Sequence, residues 1–296
     1  MSRTPRTIAI VLAGVIALAG CASVPPAAPA PGAVSATEPD ASAGDAVQLV
    51  NLWRVTEAAG AGDEAFLRLD GAEFVAWTDC GIATGTWRAS DTAFLAEVSG
   101  AVDGEECIRT APSASAPAES LAWLYAARGF RAADDATSAE LLGADGEVVA
   151  VLSVDGAPPA SSNHSDDFLV APEITPEIES AFAEPAPLPA AARPVVMDDL
   201  LGRWTSDDAE YSGDAFLQFA SDGMWSGSDG CNYTGGRFAV TDNGRLLATS
   251  GMMTAIGCEN WPGATWLWAT VRIGLVDDDL AFYDTDGSML GTAVRS

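Results

Sequence analysis

Four cysteines stand in two pairs of the same spacing, Cys80 with Cys107 and Cys231 with Cys258, 27 positions apart in each. Thiols in matched pairs can close disulfides, ligate a metal or carry out redox exchange. Two cysteines with no histidine or third cysteine beside them fall short of a zinc shell. No Cys-x-x-Cys is present for thiol exchange. The single histidine, His164, lies in the polar run Asn163–Asp167 and reads as a solvated loop residue, which argues against a His-based triad. There is no Gly-x-Ser-x-Gly elbow and no Gly-rich phosphate loop, and a Ser-x-x-Lys nucleophile cannot be built without lysine. Asp277-Asp278-Asp279 and Asp284-x-Asp286-Gly287 offer calcium-type oxygens without the spacing or terminal Glu of an EF-hand loop, so they read as turn acids. No catalytic constellation emerges, and neither a metal nor a cofactor is expected. Because carboxylates are plentiful, a hydrolase working through an acid pair stays open as the alternative.

The charge balance narrows the partners. Of 296 residues, 42 are acidic and 14 basic, every basic one an arginine, for a formal charge of −28. Nucleic-acid binding needs clustered cations, so it is excluded as a function class, as is docking to anionic lipid by charge. At the N-terminus, Arg3 and Arg6 precede an uncharged run from Ile8 to Ala19, too short to cross a membrane and of the form of a secretory signal peptide over residues 1–20. Its end, Leu18-Ala19-Gly20-Cys21, resembles the lipobox of bacterial lipoproteins, in which the cysteine thiol is acylated and becomes the mature N-terminus. The resemblance implies a lipid (palmitate-type) anchor on Cys21 and a cell-membrane location facing outside the cytoplasm. After Cys21, residues 22–46 are Pro, Ala, Ser and acid, a disordered tether that would hold the folded part about 27 Å from the bilayer.

Beyond the tether the chain repeats itself. At an offset of 151, Trp53 coincides with Trp204, Cys80 with Cys231, Gly85 with Gly236, Trp87 with Phe238 and Cys107 with Cys258. Trp and Cys are rare enough that agreement at one offset marks two copies of one domain, over 47–154 and 198–296. Between them, residues 155–197 form a Pro/Ala-rich acidic linker. Its composition makes it mobile, with Phe168-Leu169-Val170 and Ile178–Phe182 as the stretches able to dock on a neighbouring domain. Five cysteines then divide into one lipidated residue and two per repeat. Outside the cytoplasm this favours the disulfides Cys80–Cys107 and Cys231–Cys258, each closing a loop of about 28 residues and worth about 3–4 kcal/mol.

Each repeat reads as short alternating strands separated by Asp-Gly and Asn-Gly turns, with one helix towards its C-terminal end, near Ser120–Arg128 and from Pro262. Trp53/Trp204 and Trp123/Trp266 fall at equivalent places and are expected in the core. Trp261 and Trp268 are the better candidates for a ligand-facing surface, although core packing is the simpler expectation for both. Asn232 reads as an Asx-type turn former.

In the second copy, Trp204, Asp229-Gly230-Cys231-Asn232-Tyr233, Gly235-Gly236-Arg237-Phe238 and Met253-Thr254-Ala255-Ile256-Gly257-Cys258 resemble the META domain of HslJ-like bacterial lipoproteins. The motif residues are Gly230, Cys231, Asn232, Thr254 and Cys258. The first copy departs from it: Asp79-Cys80-Gly81 stands where Gly-Cys-Asn is expected, and no Thr lies four before Cys107. The resemblance implies a mainly β (α+β) fold, a small curved antiparallel sheet or partly open barrel with one helix per domain. It also implies an envelope location and links to heat shock, and it brings no catalytic residues. The expected function is a non-enzymatic binding or stress-related envelope protein, with an unknown envelope ligand or protein as partner. A spacer or adhesin is a further alternative.

Overall fold

Strands of four to ten residues with a buried face need neighbours on both edges, and in the first repeat a ring of pairings supplies them. The strands are β1 (Asn51–Ala58), β2 (Phe66–Asp70), β3 (Glu73–Thr78), β4 (Gly81–Ser90), β5 (Ala93–Val102), β6 (Gly129–Ala132), β7 (Ser138–Leu142) and β8 (Val148–Ser153). Each pairs antiparallel with the next, and β8 pairs back onto β1, closing an eight-stranded barrel. The short helix α1 (Ala122–Ala126) lies between β5 and β6. In this computed structural model the described residues are 46–79, 81–91, 93–102, 118–133, 135–160, 165–208, 210–211, 214–257 and 260–296.

The second repeat follows the same order. Its strands are β10 (Gly202–Thr205), β11 (Phe216–Phe219), β12 (Met224–Ser228), β13 (Tyr233–Val240), β14 (Leu246–Ala248), β15 (Arg272–Val276), β16 (Asp279–Tyr283) and β17 (Met289–Arg295), with α4 (Gly263–Ala269) between β14 and β15. The last strand pairs with the first, β17 with β10. The seam between the fifth and sixth strands is thin in both copies. In the first it is the single pair Ala93↔Gly129. In the second it is one bridge, Arg245↔Arg272, flanked by N–H donation from Leu246 to the Val271 carbonyl (3.0 Å) and from Ile273 to that of Gly244 (2.8 Å). The expected curved sheet is therefore completed into a ring: fully closed in the first copy, joined through one bridge in the second.

Matching residues do matching work. The Trp53 indole donates to the Leu49 carbonyl and the Trp204 indole to that of Leu200, both at 2.8 Å and both inside their cores. Gly85 and Gly236 are likewise equivalent. A Cβ at Gly85 would collide with the Glu97 carbonyl and Phe74, and one at Gly236 with the Thr249 carbonyl and Trp225. Trp123 and Trp266 sit at the same point of their helices, each carbonyl accepting from the residue that ends the helix, Ala127 or Thr270. The second helix starts after Pro262, which is its N-cap, and ends at the C-cap Thr270, two residues before β15.

The connecting segment corrects the expectation of a mobile linker over its described part. Helix α2 (Pro176–Phe182) is capped by Thr175, whose hydroxyl accepts from the Ile178 N–H. Ile178 and Phe182 pack on the first barrel's core, Phe182 against Trp87 at 5.4 Å between ring centroids. Further on, β9 (Arg193–Pro194) adds to the free part of the β15 edge, and α3 (Met197–Leu200) leads into β10. Among the described residues no helix is long and apolar enough to cross a membrane.

Candidate functional site

Two places hold side chains arranged for more than filling a core. The first is the end of the second barrel where the motif residues meet. Asp229 follows β12, and its carboxylate accepts from the backbone N–H groups of Cys231 (2.7 Å) and Asn232 (2.6 Å) and from the Asn232 amide (2.9 Å). Burial pushes the Asp229 carboxyl up, but these donors outweigh it and hold it below the usual carboxylate range. The buried Asn232 side chain also donates to the Ile256 carbonyl (3.0 Å) and accepts from the Ile256 N–H (2.6 Å), imitating a strand pair. Next to it, the Thr254 hydroxyl accepts from the Tyr233 N–H at 3.0 Å. Gly230, at φ +100°, supplies the left-handed turn. Cys231 is disulfide-bonded, and Asn260 donates to its sulfur. This cluster ties two loops together: the Asx-type turn is made by Asp229, and Asn232, expected to form it, instead clamps the loop to Ile256. Cys21, Cys80, Cys107, Cys258 and His164 lie outside the described residues.

Residues 200–265 match the family model of the META domain. The META segment runs from Leu200, the carbonyl that anchors Trp204, into α4, and so covers β10–β14 of the second barrel. The family model does not detect the first repeat. No curated protein and no solved structure matches the chain. A META domain is consistent with a bacterial envelope-associated protein.

The second place is where the repeats meet. The Thr86 hydroxyl on β4 donates to the Ser250 carbonyl (2.9 Å) and accepts from the Ser250 N–H (3.0 Å). Arg237 on β13, which is Thr86's counterpart 151 positions on, donates to the Ala96 carbonyl on β5 at 3.3 Å. Its guanidinium also stacks 5.4 Å from the Tyr125 ring centre. Each barrel thus offers its fourth strand to the fifth strand of the other, or to the residues just beyond it, an approximate two-fold pairing of equivalent hairpins. Glu97 lies in this seam with one oxygen, Oε2, buried and without a hydrogen-bond partner. Burial raises the Glu97 pKa against the opposing pull of Arg237 and of the Tyr125 hydroxyl. Burial likewise drags Arg237 down to about 10 and, with the Glu97 charge, holds Tyr125 above its ordinary value. Sequence reasoning quoted Arg237 as part of the family motif but missed this role. A lone guanidinium in a strand of Gly, Phe, Ala and Val was the available signal.

Beside the seam, both barrels and α2 enclose a recess of about 580 Å³, within the ~300–1,000 Å³ range of small-molecule sites. The first barrel contributes Arg88, the connecting segment Ile178 and Phe182, and the second barrel Leu247, Trp268 and Asp286. Glu184 staples the connecting segment beside the recess by accepting from Arg245 (3.0 Å) and Arg272. Of the two tryptophans singled out for a ligand surface, Trp261 is fully buried against Trp266, whereas Trp268 is 40% exposed on this recess. Asp277 and Asp278 form the turn between β15 and β16, both with positive φ. Among the described residues, no three His, Cys, Asp or Glu side chains converge as a metal site would require.

Proposed function

We propose that the protein is a lipid-anchored component of the cell envelope, held by an acylated Cys21, whose two META-like barrels act together as a non-enzymatic binding module. The observation that carries the binding reading is the composite recess. Neither repeat has it alone, and Trp268 is left unpacked on its wall. The lipobox-like Leu18–Cys21 and the Pro/Ala tether support the anchor. The pairing Cys231–Cys258 belongs to the same proposal. The Asn232–Ile256 clamp favours it, because it draws the backbone two residues before Cys258 alongside Cys231.

Labelling cells with radioactive palmitate tests the anchor. The intact protein is expected to take up label and stay with the membrane, and Cys21→Ser to be unlabelled and released. Equal labelling of both would contradict the anchor. For the binding reading, native mass spectrometry of the intact protein should reveal a non-covalent added mass that Trp268→Ala loses. A bare mass from freshly extracted protein would count against a binding module.

A further inference from the structure

The recess contains a charge that the protein leaves uncompensated. Arg88 is half-buried in its wall and donates only to carbonyls, those of Trp87 (2.8 Å) and Ala72 (3.3 Å). No carboxylate among the described residues forms an ion pair with it, and burial lowers its pKa. In the same recess Arg245 is neutralised by Glu184 at 3.0 Å and Asp91 at 3.8 Å. Of the two arginines that line the recess, Arg88 is the one without a carboxylate partner among the described residues, and a half-buried cation is best satisfied by an oxyanion able to accept its fork of N–H donors.

A purely anionic ligand would meet a hostile field, because Glu177, Asp284 and Asp286 line the same recess. The three acids differ in availability. Asp284 already accepts from the N–H groups of Asp286 (3.1 Å) and Ser288 (2.8 Å), and Glu177 belongs to the cap of α2. The Asp286 carboxylate, by contrast, is exposed and takes part in no hydrogen bond or ion pair among the described residues; only its backbone N–H is engaged. The same recess also has an apolar surface, which includes the exposed ring of Trp268.

We propose that the recess binds a short peptide with free termini. Arg88 takes the carboxylate, Asp286 the ammonium, and Trp268 packs on an apolar or aromatic side chain. A zwitterion satisfies both unpaired groups and carries no net charge into the acidic field. The proposal rests on the binding-module reading and specifies its ligand.

The test uses the intact protein in detergent and isothermal titration calorimetry with three probes: the dipeptide Ala-Phe, its C-terminal amide and its N-acetyl form. Ala-Phe is expected to bind saturably, with each blocked form weaker by about tenfold or more, as when one charge-assisted contact is lost. Arg88→Gln should abolish the preference for the free carboxylate, and Asp286→Asn, on an exposed turn, the preference for the free amine. Equal binding of all three probes, no binding of any, or tighter binding of glycerophosphoethanolamine than of Ala-Phe would overturn the proposal. If it fails while native mass spectrometry still finds an added mass lost in Trp268→Ala, the binding module stands and only its ligand class is wrong. If the mass is also absent, both readings fall.

Discussion

Replacing Trp204 with Ala lowers stability by about 3–5 kcal/mol, and Trp53→Ala does the same. Both indoles are almost fully buried, and each makes a 2.8 Å hydrogen bond to the carbonyl four residues earlier. Truncation therefore leaves a large cavity and an orphaned carbonyl in the same place of each barrel. Urea unfolding followed by circular dichroism checks the magnitude. The pair matters more than either value. If the repeats are one fold used twice, the two losses agree within the scatter of such substitutions. A loss below about 1 kcal/mol at one site alone would mean that the two tryptophans do different jobs.

Replacing Arg237 with Met is expected to cost about 1–3 kcal/mol, the range for leaving buried polar groups without their partner. The cost arises on the other side of the seam, where Glu97 would be left buried with no opposing cation. The pH dependence follows. Glu97 has a folded-state pKa above its ordinary value, so the folded state holds the proton more tightly than the unfolded one. Its contribution is therefore fully present below the ordinary carboxylate range and lost as pH rises through the raised pKa. Removing Arg237 removes a force that lowers this pKa, so Arg237→Met should be weakest at neutral pH and regain stability as pH falls through the raised Glu97 pKa. Adding Glu97→Gln should recover much of the loss at neutral pH and flatten the pH profile. A pH-independent loss that Glu97→Gln does not relieve would show that Arg237 matters only through its packing on Tyr125 and its bond to Ala96.

The parts of this architecture that were legible in the sequence are those written in rare residues or in local pattern. Trp53/Trp204 and the cysteine spacing exposed the duplication, and the Asp-Gly and Asn-Gly turns marked the hairpins. Barrel closure was not legible. It depends on β8 finding β1 and β17 finding β10, and alternation along a strand says which face is buried without saying which distant strand lies alongside. The connecting segment was misjudged on composition. Its prolines suggested a tether, yet Thr175-Pro176-Glu177 is a helix start, and Ile178 and Phe182 are an i, i+4 apolar pair placed to dock. The recess as a whole was not legible. Trp268 and the Ile178–Phe182 stretch stood out singly, but only the docking of two barrels and a helix brings them together with Arg88 and Asp286.

The seam also accounts for the asymmetry between the copies. Thr86 and Arg237 occupy equivalent strand positions but carry different chemistry, a hydroxyl that clamps one backbone unit and a guanidinium that reaches a carbonyl and a ring. A symmetric pair of barrels would repeat one contact twice. Here the two halves of the interface have diverged, as has the connecting segment that fills one side of it and becomes a wall of the recess.

Everything proposed for the recess depends on the two barrels being held together, and the Ser250 amide reports that most directly. Its N–H donates to the Thr86 hydroxyl of the other barrel at 3.0 Å. Hydrogen exchange at Ser250 in the intact protein is expected to be slow, and faster by about tenfold or more in Thr86→Val, with the remaining strand amides of both barrels unchanged. A Ser250 amide that exchanges in the wild-type protein as fast as an open loop would mean that the barrels do not dock, and the shared recess would go with them.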